Sequence, residues 1–155
     1  MGTSVRGFYL LTQEIKDTLL NDVNVNTVTT GDLSDINLKK QNIFPLSHLI
    51  VNNVTSEEQA LVFNISVLSM DIVDVRKEEE TDIFLGNDNT QDILNTQLSV
   101  LVKLAQKIRM GSVRDNGFEL LGDPNIEPFK DRFENQLAGW ALTMDVLVAN
   151  DIYIC

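Results

Sequence analysis

Most of what catalytic and metal sites are built from is scarce in this sequence. There is one histidine, His48, and one cysteine, Cys155. Together they fall short of the Cys and His sets that hold zinc. One cysteine cannot close an intrachain disulfide, and a chain with none reads as made for a reducing interior. Basic residues are also few: 12 Lys+Arg stand against 23 Asp+Glu, giving a formal net charge of −11 and a sequence pI near 4.3. Such a surface repels phosphates, so it argues against a DNA reader or a grip on anionic lipid. Lys39-Lys40 and Arg76-Lys77 are pairs, not patches. No apolar run approaches the roughly 18 residues of a membrane span. At the N-terminus, Gln13 and Glu14 interrupt the apolar run too early for a signal peptide. The sequons at Asn53 and Asn64 therefore carry no expectation of a glycan.

Motifs for chemistry are equally thin. Neither GxxxxGK[ST] nor GxGxxG occurs, so no phosphate cradle is predicted. The stretch "NDNTQD" (87–92) lacks the glycine and distal glutamate of a calcium loop. His48 lies between apolar strand residues and reads as a structural histidine. With 23 acids, some pair of carboxylates is always close, which makes pairing uninformative. Asp71 and Asp74, ending a long strand, are the two whose burial would favour an enzyme. The reading is of a protein without catalytic residues, cofactor or metal.

What is present is a globular pattern. The 155 residues are 43% hydrophobic and 23% charged, the size and composition of one domain, 1–155. Residues 4–21 predict a helix, with Ser4 as cap and Phe8, Leu11 or Thr12, Ile15 and Leu19 on one face. Val23, Val25 and Val28 predict a short strand. Residues 31–45 form a long polar connection in which Leu33, Ile36, Leu38, Ile43 and Phe44 are anchors; its length implies function or a contact with a neighbour. Strands follow at 46–55 and 60–75. In the second, the apolar phase passes from Leu61, Phe63, Ile65 and Val67 to Leu68, Met70 and Ile72, which predicts a β-bulge or sharp bend around Val67-Leu68. Residues 76–92 form an acidic loop. A second helix carries Leu94, Leu98, Leu101, Ala105 and Ile108, with Asn89 or Thr90 as cap and Gly111 as stop. Phe118, Leu120 and Leu121 predict a short strand, followed by a turn at Gly122-Asp123-Pro124. From Ala138 every second residue is apolar through Val148, and "NDIYIC" (150–155) alternates again with Ile152 and Ile154. Trp140 reads as core, and Gly139 as a site of close backbone approach or a bulge. The fold class expected is α+β: one domain, a mainly antiparallel sheet with a long β-hairpin-like extension, and two principal helices on one face.

Three stretches, "GDLSDINLKKQNIFPLSHLIVNNVT", "FNISVLSMDIVDV" and "RFENQLAGWALTMDVLVANDIYIC", together resemble the tail terminator or tail-completion proteins of tailed bacteriophages. The resemblance runs from Gly31 to Cys155 and rests on Pro45-Leu46, Met70-Asp71 and Leu137-Ala138-Gly139-Trp140. It implies a structural virion protein, made in the host bacterial cytoplasm, that forms a homo-oligomeric ring, commonly a hexamer. Such a ring ends polymerisation of the tail tube protein and meets the head connector or neck proteins. DNA passes through its channel without specific binding, and no membrane is involved. In that setting the candidate interface residues are Asp32, Asp35, Lys39 and Lys40 in the first loop. In the second they are Arg76, Lys77, Glu78, Glu79, Glu80 and Asp82. A head-completion or connector-associated neck protein is the nearest alternative; a small monomeric binding module is the alternative of another class.

Overall fold

A computed structural model describes residues 6–32, 43–73, 89–110, 117–130 and 137–149. Two helices, α1 (Arg6–Leu20) and α2 (Thr90–Arg109), accompany five strands: β1 (Thr27–Thr30), β2 (Leu46–Ser56), β3 (Ala60–Ile72), β4 (Phe118–Lys130) and β5 (Leu137–Ala149). The strands form one sheet in the order β1-β2-β3-β5-β4. Three pairs are antiparallel and β1–β2 is parallel, so the single domain is α+β with a mixed sheet. A parallel pair needs a connection long enough to carry the chain back along the strand. The length of 31–45 therefore has a topological cause, independent of any partner.

Cross-strand partners share a face of the sheet, so register assigns the two faces. One is covered by both helices: Leu11, Ile15 and Leu19 of α1 and Val100, Leu101, Leu104 and Ile108 of α2 join Leu49, Phe63, Ile65, Val67, Leu142, Met144 and Val146 in the main core. The alternation that begins at Ala138 points to this side. β5 is central, paired with β3 from Leu137 to Ala149 and with β4 on its other flank. On the opposite, helix-free face a second cluster gathers Phe44, Leu46, Met70, Phe129 and Leu137, with Ile43 and Leu68 against it.

That second cluster explains the phase change in β3. The register with β5 runs unbroken from Ala60 to Ile72, so no bulge lies at Val67-Leu68. Instead, β3 is buried on both faces at its C-terminal end: Val67 and Ser69 face the helices while Met70 faces Phe44 and Leu46. The bulge falls in β2, where Asn52 sits between the pairs Val51–Ile65 and Asn53–Asn64. The β2–β3 hairpin is the long one expected; it overhangs β1 on its outer edge, while β5 accompanies β3 to Ala60 on the inner.

Other elements shift for identifiable reasons. Val23 and Val25 lie outside β1, because Asp22 folds the chain into a turn. Its Oδ1 accepts from the Asn24 amide at 2.9 Å and its carbonyl from the Val25 amide at 3.1 Å. Val23 is left 95% exposed. The buried side of α2 is Ile93, Gln97, Val100, Leu101, Leu104, Ala105 and Ile108; Leu94 and Leu98 are only partly buried. Asn89 takes the N-cap position without a side-chain cap bond, Met110 follows the last turn, and Gly111 lies outside the described residues, as does Ser4. β4 is one strand of 13 residues interrupted by a register shift between Leu121 and Asn125, where Gly122 adopts φ +65°. Its prolines are tolerated because β4 is an edge.

Gly139 is a site of close approach. A Cβ there would overlap the carbonyl of Ser69 and crowd the Met70 Cα, and the ladder passes through without a bulge.

Candidate assembly surfaces

Of the ten candidate interface residues, only Asp32 lies among the described residues, exposed just past β1. Asp35, Lys39, Lys40, Arg76, Lys77, Glu78, Glu79, Glu80 and Asp82 lie outside them, as does Asp74. The surfaces presented by the described residues are two, and Asp32 borders the second of them.

The first is the helix-free face beyond the second cluster. Asn52 Nδ2 donates to Asn64 Oδ1 at 2.9 Å and to Ser66 Oγ at 2.8 Å. Asn64 Nδ2 donates to Asp145 Oδ1 at 2.9 Å, and Ser66 and Thr143 hydroxyls meet at 3.5 Å. This is a polar ladder across three strands, and the bulge at Asn52 aims its first member. Register adds Glu119 and Glu127 to the same face, through Leu147 and Ala141. Lys130, the one cation in the described strands, pairs with Ala138 and so falls on the other face. Lys16, Lys103, Lys107 and Arg109 belong to the helices, where Lys103–Asp22 (3.6 Å), Lys107–Glu14 (3.9 Å) and Arg109–Asp123 (3.5 Å) make ion pairs. The exposed Arg109–Asp123 pair contributes little to stability, whereas the Asp22 carboxylate is buried beneath Lys103. The helix layer thus carries charges of both signs, while the helix-free face of the sheet bears Glu119, Glu127 and Asp145 and no described cation.

The second surface is the outer margin of β1 and β2. β1 pairs with β2 only from Leu46 to Leu49, and the Gly31 amide caps the pairing on the Leu49 carbonyl at 3.2 Å. Among the described residues no strand covers β2 from Ile50 to Ser56. A groove of about 530 Å³ runs beside that edge, lined by Phe8, Thr30, Gly31, Asp32, Ile50 and Val51. It adjoins a cavity of about 270 Å³ between α1 and β1, lined by Phe8, Thr12, Lys16, Val28 and Leu49 among others. Phe8, expected on the buried stripe, stands 40% exposed at this margin, its ring 6.1 Å from that of Phe63.

Inside, two polar groups stand out. Ser69 Oγ donates to Gln97 Oε1 at 2.5 Å, Ser47 Oγ lies 3.4 Å from Ser69 Oγ, and Gln97 Nε2 reaches the Asn24 carbonyl at 3.5 Å. This buried network fastens α2 to the sheet and to the turn after α1. His48 is also buried, and burial lowers its pKa below the ordinary imidazole value, with the Gly31 hydrogen bond and the charge of Asp32 opposing. A neutral ring has one N–H. The Gly31 carbonyl can only accept, so Nε2 carries the proton and donates to it at 2.8 Å, while Nδ1 accepts from the Thr29 hydroxyl at 2.8 Å. His48 is structural, as its strand position indicates.

Asp71 is partly buried, and burial raises its pKa, against an opposing hydrogen bond from the Ile72 amide at 2.8 Å. It lines neither cavity at the β1–β2 margin nor the one between α1 and α2 around Asp22 and Lys103. Among the described residues no group of three His, Cys, Asp or Glu side chains could hold a metal ion, and no helix is long and apolar enough to cross a membrane. Compared with known proteins, the chain matches no family model and no curated protein.

Proposed function

We propose that this chain is a structural virion protein that forms a ring, hexameric in the resemblance described above, at the head-proximal end of a phage tail. In that place it ends growth of the tail tube and provides the surface on which the head connector or neck docks. It acts without cofactor or chemical step, and DNA passes through the ring unbound. The observation that carries the reading is the Leu137–Trp140 motif of the resemblance. In this fold it opens the central strand, with Gly139 against the Ser69 backbone and Trp140 bonded to α2. The residues that mark the resemblance are thus ones on which the architecture depends.

The charge of the helix-free face supports the same reading. A helix-free face bearing Glu119, Glu127 and Asp145 and no described cation would repel phosphates, as a channel wall must if DNA is to slide. The ladder of Asn52, Asn64, Ser66 and Thr143 satisfies its own hydrogen bonds, so such a wall offers DNA few unmet donors.

The experiment is direct. The purified chain is added to its polymerising tail tube protein and the tubes are imaged by negative stain. Caps on one end and arrested lengths are the expected outcome; tubes that grow past added protein, uncapped, overturn the proposal. Deleting residues 77–88 is expected to leave the domain folded and to weaken ring formation or docking. Intact assembly after that deletion would remove 76–82 from the interface.

A further inference from the structure

The two margins of the sheet are treated differently. Exposed edge strands invite pairing with other chains, and proteins blunt them with charge, proline and irregular register. β4 has all three: Pro124 and Pro128, the charges of Glu119, Asp123, Glu127 and Lys130, and the register shift after Leu121. The outer edge of β2 reads IVNNVTS from Ile50 to Ser56, without a charge or a proline, and the bulge at Asn52 is its one irregularity. Among the described residues no strand pairs with that edge, and the side chains of Asn53, Val54 and Thr55 are exposed. Beside it lies the groove with Phe8, Ile50 and Val51 in its wall. An unguarded edge next to an apolar groove fits strand addition, in which main-chain bonds hold the added strand and alternate side chains enter the groove.

The sequence holds a matching pattern. Six residues, 150–155, follow β5, and Ile152 and Ile154 alternate within them. β5 and β2 both run toward the hairpin end of the sheet, where Ala149 pairs with Ala60 and Ser56 with Leu61. To lie outside its own β2, the segment would cross three strand spacings, about 14 Å, and then reverse. The two steps from Ala149 to Asp151 span at most about 7 Å, so Asp151–Ile154 cannot reach that edge of its own subunit.

We infer that the Ile50–Ser56 edge of β2 receives an added strand from a second copy of this chain, and that Asp151–Ile154 of that copy is the strand. Each copy then offers one edge and one strand, a heterologous contact that propagates head to tail and closes when the rotation allows. The inference rests on the ring proposed above and supplies its junction.

The test needs no tail. Light scattering after size exclusion gives the mass of the unmodified chain over a concentration series. Two full-length variants follow: Asn53→Lys with Thr55→Lys, which guards the edge, and Ile152→Asp with Ile154→Asp, which spoils the strand. Thermal melting within a few degrees of the parent confirms that each is folded. The parent is expected to assemble, and each variant alone to assemble at least tenfold more weakly. An equimolar mixture of the two should stop at heterodimers, because one supplies the only competent strand and the other the only competent edge. Hydrogen exchange on the unmodified chain should show amides 50–56 protected in the assembled form and released on dilution, which reads the junction even if a variant fails to fold. Assembly of either folded variant as well as the parent, or monomeric variants whose mixture yields no dimer, overturns the junction and leaves the ring standing. A parent that is monomeric at every concentration sinks ring and junction together.

Discussion

The indole of Trp140 donates its Nε1–H to the carbonyl oxygen of Leu94 at 2.7 Å, so the central strand is bonded directly to the first turns of α2. The ring is partly exposed and packs against the main core. Replacing it by Phe keeps most of the apolar contact and removes the donor. Trp140→Phe is expected to cost about 1 kcal/mol, the usual net value of one such bond. Urea denaturation followed by circular dichroism measures it.

A few ångströms away, Gly139 has no room for a methyl group. The obstacle is the backbone of Ser69 and Met70, which cannot swing aside as a side chain would. Gly139→Ala is expected to destabilise by about 1–3 kcal/mol or more, as overpacking does. The same denaturation series checks it, and a neutral result would mean that β3 and β5 separate locally at little cost.

Gln97 sits inside the buried side of α2, between Ser69 and the Asn24 carbonyl. Gln97→Leu leaves the Ser69 hydroxyl facing an apolar side chain. The expected loss is about 1–3 kcal/mol, the penalty of a stranded buried polar group. Replacing Ser69 by Ala in the same chain should recover part of it, and a double-mutant cycle reads the coupling.

His48 and Asp71 set two pH windows of opposite sign. The folded pKa of His48 is depressed below the unfolded value of 6.5, so its neutral form stabilises the fold. That contribution is complete above pH 6.5 and is lost as pH falls toward the folded pKa, where the unfolded chain binds the proton first. Asp71 is raised above 3.8, so the native state binds the proton first. Its charged form weakens the fold at higher pH, and stability is regained as pH falls through the folded value toward 3.8. Denaturation midpoints across pH 4–7 should lose the upper slope in His48→Gln and the lower recovery in Asp71→Asn.

Periodicity made α1, β5 and the β2–β3 hairpin legible wherever one face alone is buried. It failed where a residue's burial contradicts its polarity. Gln97 is buried by pairing with Ser69, which rotates the inward side of α2 away from Leu94 and toward Ile93. The change of phase at Leu68 resembles a bulge in sequence. It is a strand covered twice, by the helices on one side and by Phe44 and Leu46 on the other, and nothing local tells the two apart. Gly122-Asp123-Pro124 carries every mark of a turn, yet β5 holds both flanks of it in one strand. The unguarded edge of β2 was legible only in part: IVNNVTS can be read, but that β1 stops at Leu49 belongs to the sheet's topology.

The placement of β5 also sets the order in which this domain can be made. β2 and β3 are joined by a tight turn and can zip as they are synthesised. β4 is finished earlier than β5 yet pairs with no other strand, and the Asn64–Asp145 bond closes across 81 residues. Non-local pairing of this kind slows folding. The sheet is therefore complete only once β5 lies between β3 and β4, and β4 has no place in it until then.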